Sequence, residues 1–419
     1  MFRIARAFSA RFSPHKPQAA PDFCPANSAL AAALPEQGQL NIPVAKLDPK
    51  DLVGREMIER GRHLARQDRW DELSAEMHAA DQTGATAPDG MPIADLLGFG
   101  ARSDVVLAAE HALSDGKAVS DYDLLGGISE LETEMRDHPG DPMIAAIVAL
   151  AHIDIAWAWR GNSADATLPA LHSSRCAAHF DRAGQILPDC TAAAPDSPLI
   201  AAANCALLAG QRKETARVAE KYERLIGLDP KNQRHMRAMG SHLLPRWFGS
   251  YEELELQALR NAARTQDTWG AGGYTWVQFD AIAMDAEACA RVDVEYFLEG
   301  LRDVLRLHPG QQMVNMLSAY CAITVQNGVG LNEKADQVRS QMRETANWLI
   351  RDHLTELHPL IWAHATAGFN NSVRINSPER FAARGQRDAL RTIGDFFRDE
   401  LGSGKDVTFT PTGLQFSQH

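Results

Sequence analysis

Residues 294–310 read VEYFLEGLRDVLRLHPG, and this stretch decides the fold class. Val294, Phe297, Leu298, Leu301, Val304 and Leu305 recur at i, i+3, i+4 and i+7, the period of one apolar helix face rather than the alternation of a strand. His308-Pro309-Gly310 then stops the helix, because proline has no N–H to extend the ladder. Met313, Leu317 and Tyr320 restart the period at once. Upstream, Val218, Ala219, Tyr222, Leu225 and Ile226 form another such stripe, closed by Asp229-Pro230-Lys231-Asn232. From about Pro49 to Leu401 the pattern is helical nearly throughout, which predicts an all-α protein.

The run Met143 to Trp159 (MIAAIVALAHIDIAWAW) is apolar enough to suggest a membrane span. At 17 residues it sits at the short limit for crossing a bilayer, and it carries His152 and Asp154. A buried core helix is the expectation. Asp141 is placed to cap it, Pro142 suits its first turn, and Arg160-Gly161 ends it.

Helix-ending proline steps are read at Pro139, Pro188, Pro230, Pro309 and Pro359, spaced 49, 42, 79 and 50 residues apart, the long gap being about two units. A unit of that length is a helix pair with its turns, and one pair cannot bury its own apolar face. Stacked pairs can. Three phrases carry a resemblance: Ala209-Gly210 through Pro230-Lys231-Asn232, Trp70-Asp71-Glu72-Leu73, and Ser250-Tyr251-Glu252-Glu253-Leu254. Together they resemble the tetratricopeptide-like helical repeats, with units longer and less regular than the family's. The stretch His242 to Leu254, with its Trp247-Phe248-Gly249-Ser250 turn, is similar to a phrase in uncharacterised bacterial proteins of that class, as is Ala156-Trp157 to Arg160-Gly161. The resemblance implies an irregular α-solenoid and brings no activity with it.

Composition agrees with a folded body: 45% of the 419 residues are hydrophobic and 23% charged. A net charge of −12 argues against a nucleic-acid partner, which needs clustered positive charge. The six cysteines are scattered, with no CxxC pair, so neither a disulfide framework nor a zinc ribbon is expected. Residues 1–48 read as a flexible, basic, proline-rich arm before a helical repeat domain at 49–402. Arg3, Arg6, Arg11 and Lys16 lie in the arm among Phe2, Phe8 and Phe12, so a membrane contact through Met1 to Phe12 is an alternative to a plain tail. Residues 403–419 switch to alternation at Val407, Phe409, Leu414 and Phe416 about Pro411-Thr412-Gly413, a short hairpin or extended tail.

Candidate chemistry is sparse. His172, Cys176 and His179 fall on one helix face, but a fourth zinc ligand is missing, and an ordinary helix face is expected. His152 and Asp154 point about 200° apart on a helix, so each must find its own partner. Glu130, Glu132 and Glu134 share a period of two and read as solvated. Glu253, three residues after Ser250, fits a capping box. The Gly270 to Tyr274 cluster lacks a phosphate-binding spacing, and no GxSxG, HExxH or Walker pattern occurs. No catalytic residue, metal or cofactor is therefore assigned.

The leading expectation is a cytoplasmic protein-interaction scaffold that binds a peptide or protein partner on stacked helix pairs. One alternative is a small-ligand or enzymatic pocket gathering His152, Asp154, Arg160, Trp247 and Trp276, and another is a peripheral membrane-associated adaptor held through the N-terminal arm.

Overall fold

The computed structural model describes residues 38–45, 53–88, 90–114, 121–161, 169–211, 217–369 and 377–418. The rest of the N-terminal arm, including Met1 to Phe12, lies outside them. The described residues form nineteen α-helices and one small sheet, an all-α protein. They fall into two compact units: one within Leu47–Ala281, the other within Ile282–His419 together with residues 38–45.

The first unit begins with α1 (Val53–Arg66), α2 (Trp70–Thr83), α3 (Ile93–Ser114) and α4 (Asp121–Asp137). It continues through α5 (Pro142–Arg160), α6 (Ala170–Ala193), α7 (Pro198–Ala206), α8 (Val218–Leu228), α9 (Gln233–His242), α10 (Tyr251–Arg264) and α11 (Gln266–Trp269). The next helix, α12 (Gly272–Met284), runs across the division between the units.

Its centre is α5. Asp141 caps it by accepting from the Met143 and Ile144 N–H groups, and Gly161 closes it at φ 58°. It is long and apolar enough to cross a membrane, but almost every side chain is buried against protein. Helices α2, α3, α4, α6 and α7 all pack on it. Ile147 and Ile153 are fully buried in the core that includes Leu73, Met77, Leu97 and Leu187.

Helix α1 lies directly on α3 through glycine. A Cβ at Gly61 would come 2.0 Å from the Leu97 carbonyl oxygen, and one at Gly100 would come 2.0 Å from the Ile58 carbonyl oxygen. Only glycine at both positions lets the two backbones touch.

Two of the proline steps differ from the sequence reading. Pro188 sits inside α6, and Pro359 opens α17 instead of closing a helix. Leu187 is fully buried beside Pro188, and Ile186 and Cys190 are nearly so, so packing carries the helix through a residue that lacks an N–H. Proline in a first helical turn gives up an N–H that would be unpaired anyway.

The second unit holds α13 (Ala286–Arg291), α14 (Val294–Leu307), α15 (Gln311–Ala319), α16 (Glu333–Asp352), α17 (Pro359–Thr366), α18 (Pro378–Phe396) and α19 (Arg398–Gly402). Trp362 is fully buried and its indole N–H donates to Asn315 Oδ1 at 2.8 Å, tying α17 to α15. Three strands complete the unit: β1 (Leu40–Asn41), β2 (Lys405–Thr410) and β3 (Gly413–Gln418). Strands β2 and β3 form an antiparallel hairpin with Thr410 opposite Gly413, and the two-residue β1, read with the arm from sequence, pairs parallel to β2. Val407 and Phe409 point into the core, where Phe409 meets Phe397 edge-on at 5.7 Å.

Candidate functional site

His152 and Asp154 of α5 reach different helices, as their angular separation requires. Asp154 Oδ2 accepts from Arg102 Nε of α3 at 2.8 Å, with both residues at most 5% exposed. The Arg102 guanidinium also lies 5.4 Å from the centre of the Phe99 ring.

His152 enters a longer chain. Its Nε2 is 3.1 Å from Glu132 Oε1 of α4, and its Nδ1 is 2.9 Å from His179 Nδ1 of α6. Arg182, one turn beyond His179, donates from Nε to the same Glu132 oxygen at 2.7 Å. A carboxylate only accepts, so His152 carries its proton on Nε2 and its Nδ1 is bare. The contact between the two Nδ1 atoms is then a bond donated by His179, which leaves His179 Nε2 as a lone pair. Burial drives both imidazoles towards the neutral form and holds His179 down to about 4. Burial pushes the Glu132 carboxyl up, but the bonds from Arg182 and His152 outweigh it and hold Glu132 below the usual range.

Glu132 is thus a half-buried tie between α4, α5 and α6, not the solvated charge its spacing suggested. Its partners lie 20 and 50 residues away, beyond any local pattern.

The face of His172, Cys176 and His179 is divided among other contacts. His172 Nδ1 donates to the Trp159 carbonyl at 3.0 Å, while His179 turns to His152. Among the described residues no three His, Cys, Asp or Glu side chains gather into a metal-holding group.

The remaining pocket candidates sit in separate surroundings. Arg160 lies with its guanidinium 5.4 Å from the Trp157 ring centre. Trp247 packs on His242 and Phe248. His242 is itself buried, lies with its Nδ1 2.8 Å from the Tyr222 hydroxyl oxygen and is held down to about 4 by that burial. Trp276 is fully buried between Trp269 and Phe279. The ring contacts and hydrogen bonds of His152 and Asp154 run to α3, α4 and α6. Those of Trp247 and Trp276 run to the segment from α9 to α12, so the structure does not bring the five together.

Sequence reasoning missed a second polar group in this unit. Asp95 of α3 is pushed up to about 7 by burial, against the pull of Arg102, with Asp81 and Asp229 adding repulsion. Asp81 is buried at the end of α2 and accepts from the Leu199 N–H at the start of α7 at 2.9 Å. Asp229 accepts from His235 Nε2 at 3.0 Å. These carboxylates come from three distant stretches, and no spacing in the sequence joins them.

In the second unit a groove of about 330 Å3 opens between α16 and the α18–α19 junction. Arg343 lies over the Phe396 ring at 4.9 Å from its centre and pairs with no carboxylate among the described residues. Arg351 donates to Glu400 Oε1 at 2.8 Å and to the Phe396 carbonyl, and Arg398 pairs with Asp395 at 2.9 Å. Among the described residues the groove therefore offers one stacked guanidinium without an ion pair, beside two paired arginines and the Asp399 carboxylate, which also lines it. No single sequence motif points to it, because its residues come from two segments about 50 apart.

Comparison with protein-family models, with curated proteins and with solved structures gives no match for this chain.

Proposed function

We propose that this chain is a cytoplasmic protein-interaction scaffold, a helical array of tetratricopeptide-like character that holds a peptide or protein partner against its helices. One observation carries the reading: the groove beside α16, where Arg343 is stacked on Phe396 and, among the described residues, pairs with no carboxylate. A guanidinium fixed on a ring is ready to take a carboxylate, and its neighbours Arg351 and Arg398 are already neutralised, so the Arg343 position favours an acidic side chain of a partner, while Asp399 on the same rim is open to a basic one. The polar groups of α5 support the same division of labour. Glu132, His152, His179, Arg102 and Asp154 fasten helices to one another.

The test is a photo-crosslinking residue in place of exposed Asp399, which lines the same groove and leaves Arg343 intact, used in the cells that make the protein. The reading expects one predominant adduct whose partner also binds the purified chain and loses at least about tenfold in affinity to Arg343→Glu, the scale of a lost charged contact. Adducts no different from those of the same crosslinker at exposed Arg136 would remove it.

A further inference from the structure

Among the described residues the hairpin leaves one strand edge unpaired. Val407 donates its N–H to the Gln39 carbonyl at 2.8 Å, so the backbone of Val407 faces β1. Its opposite residue on β3, Phe416, therefore belongs to a pair without mutual hydrogen bonds, and the pairing alternates along the ladder. It follows that Leu414, Phe416 and Gln418 turn their N–H and C=O groups away from β2, towards the open side of the sheet. Strand β3 is the last in the order β1-β2-β3.

Open edges are ordinarily guarded by lysine, by proline, or by a bulge. Strand β3 reads Gly413-Leu-Gln-Phe-Ser-Gln418 and has none of these. Phe416 shares a face with buried Val407, yet it is 49% exposed. Among the described residues no strand pairs with this edge, and the Phe416 ring, 6.5 Å from that of Phe397, keeps about half its surface open.

We propose that a second copy of this chain supplies the missing strand, β3 pairing antiparallel with β3 about a two-fold axis at Phe416. The outward-facing residues are symmetric about that position. Phe416 meets Phe416 of the second copy in a doubly bonded pair, and Leu414 and Gln418 meet each other on either side. Every open backbone group of the edge is then satisfied, and two three-stranded sheets become one of six strands. The two exposed rings come together as a cross-strand aromatic pair. Charge on the strand is no obstacle to that occupant. In a chain of net charge −12, this uncharged strand lets two copies meet with no like charges opposed on the paired strands. Such an edge contact is small, so the dimer forms by mass action rather than as an obligate unit.

The experiment is light scattering of the full chain across a dilution series up to about 100 µM, where a small interface is populated. The expected result is a mass rising from 45.9 kDa towards twice that value. Phe416→Pro removes an outward N–H without touching a β2–β3 bond, and Phe416→Lys places two cations at the axis; both are expected to remain monomeric with unchanged far-ultraviolet circular dichroism. Should the proline variant alter the spectrum, the lysine variant decides. In a Cys24→Ser background, which leaves only the five buried cysteines Cys176, Cys190, Cys205, Cys289 and Cys321, Phe416→Cys is expected to form an intermolecular disulfide on mild oxidation, because a doubly bonded pair sets its Cα atoms about 5.5 Å apart. A wild-type mass that never rises would overturn the proposal, as would variants that associate like wild type. A monomer that takes up an added extended peptide along β3 would assign the edge to a foreign strand and overturn it equally.

Discussion

A buried charge that loses its partner is expensive, and Arg102 is 3% exposed. Asp154→Ala is expected to destabilise the protein by about 3–5 kcal/mol in urea unfolding, because it strands that guanidinium. Replacing Arg102 and Asp154 together by leucine should cost less than the single change; equal losses would mean that the pair does not bridge α3 and α5. His179 gives a pH signature. Its unfolded value is about 6.5, whereas burial holds it at about 4 in the fold. Between these values the unfolded chain binds the additional proton, so this stability is complete above about pH 6.5 and is lost as pH falls towards the folded value. Buried His152 acts in the same direction, and Glu132, depressed by Arg182 and His152, adds a further loss at lower pH. Melting temperatures from pH 7 to 4.5 should therefore fall more steeply for wild type than for His179→Gln. Superimposable curves would show that His179 is not held neutral.

At the scale of elements, the α1–α3 contact depends on backbone touching backbone. Gly61→Ala should force the helices apart and cost about 1–3 kcal/mol, the range for overpacking, since its Cβ would lie 2.0 Å from a carbonyl oxygen. A chemical-denaturation midpoint equal to wild type would contradict that packing. The caps were legible because they are local. Asp141 accepts from Met143 and Ile144, and Ser250 accepts from the Glu253 N–H at 3.1 Å, where Asp141-Pro142 and the Ser250 to Glu253 spacing had placed them. Removing the Ser250 hydroxyl with alanine should cost about 1 kcal/mol. The hairpin was legible for the same reason, its alternation and turn lying within a few residues. Pro188 and Pro359 were misread because a proline reports only that an N–H is missing; burial decides whether a helix runs through, and position decides whether it ends or begins.

At the scale of the whole chain, the contacts that build the candidate sites join distant segments. His152 and Asp154 could be singled out as polar residues in an apolar helix, but Glu132, Arg102 and Asp95 carry no mark of their roles. The groove residues Arg343 and Phe396 meet only when α16 and α18 fold together. β1, two residues long, is invisible until β2 arrives more than 360 positions later to pair with it. Sequence therefore reports helices, caps and stops, and folding assembles the surfaces. The most direct test of that division compares affinity for the crosslinked partner in two variants. The account predicts that Arg343→Glu loses at least about tenfold while His179→Gln binds as wild type; full binding by the first with loss by the second, both folded, would contradict it.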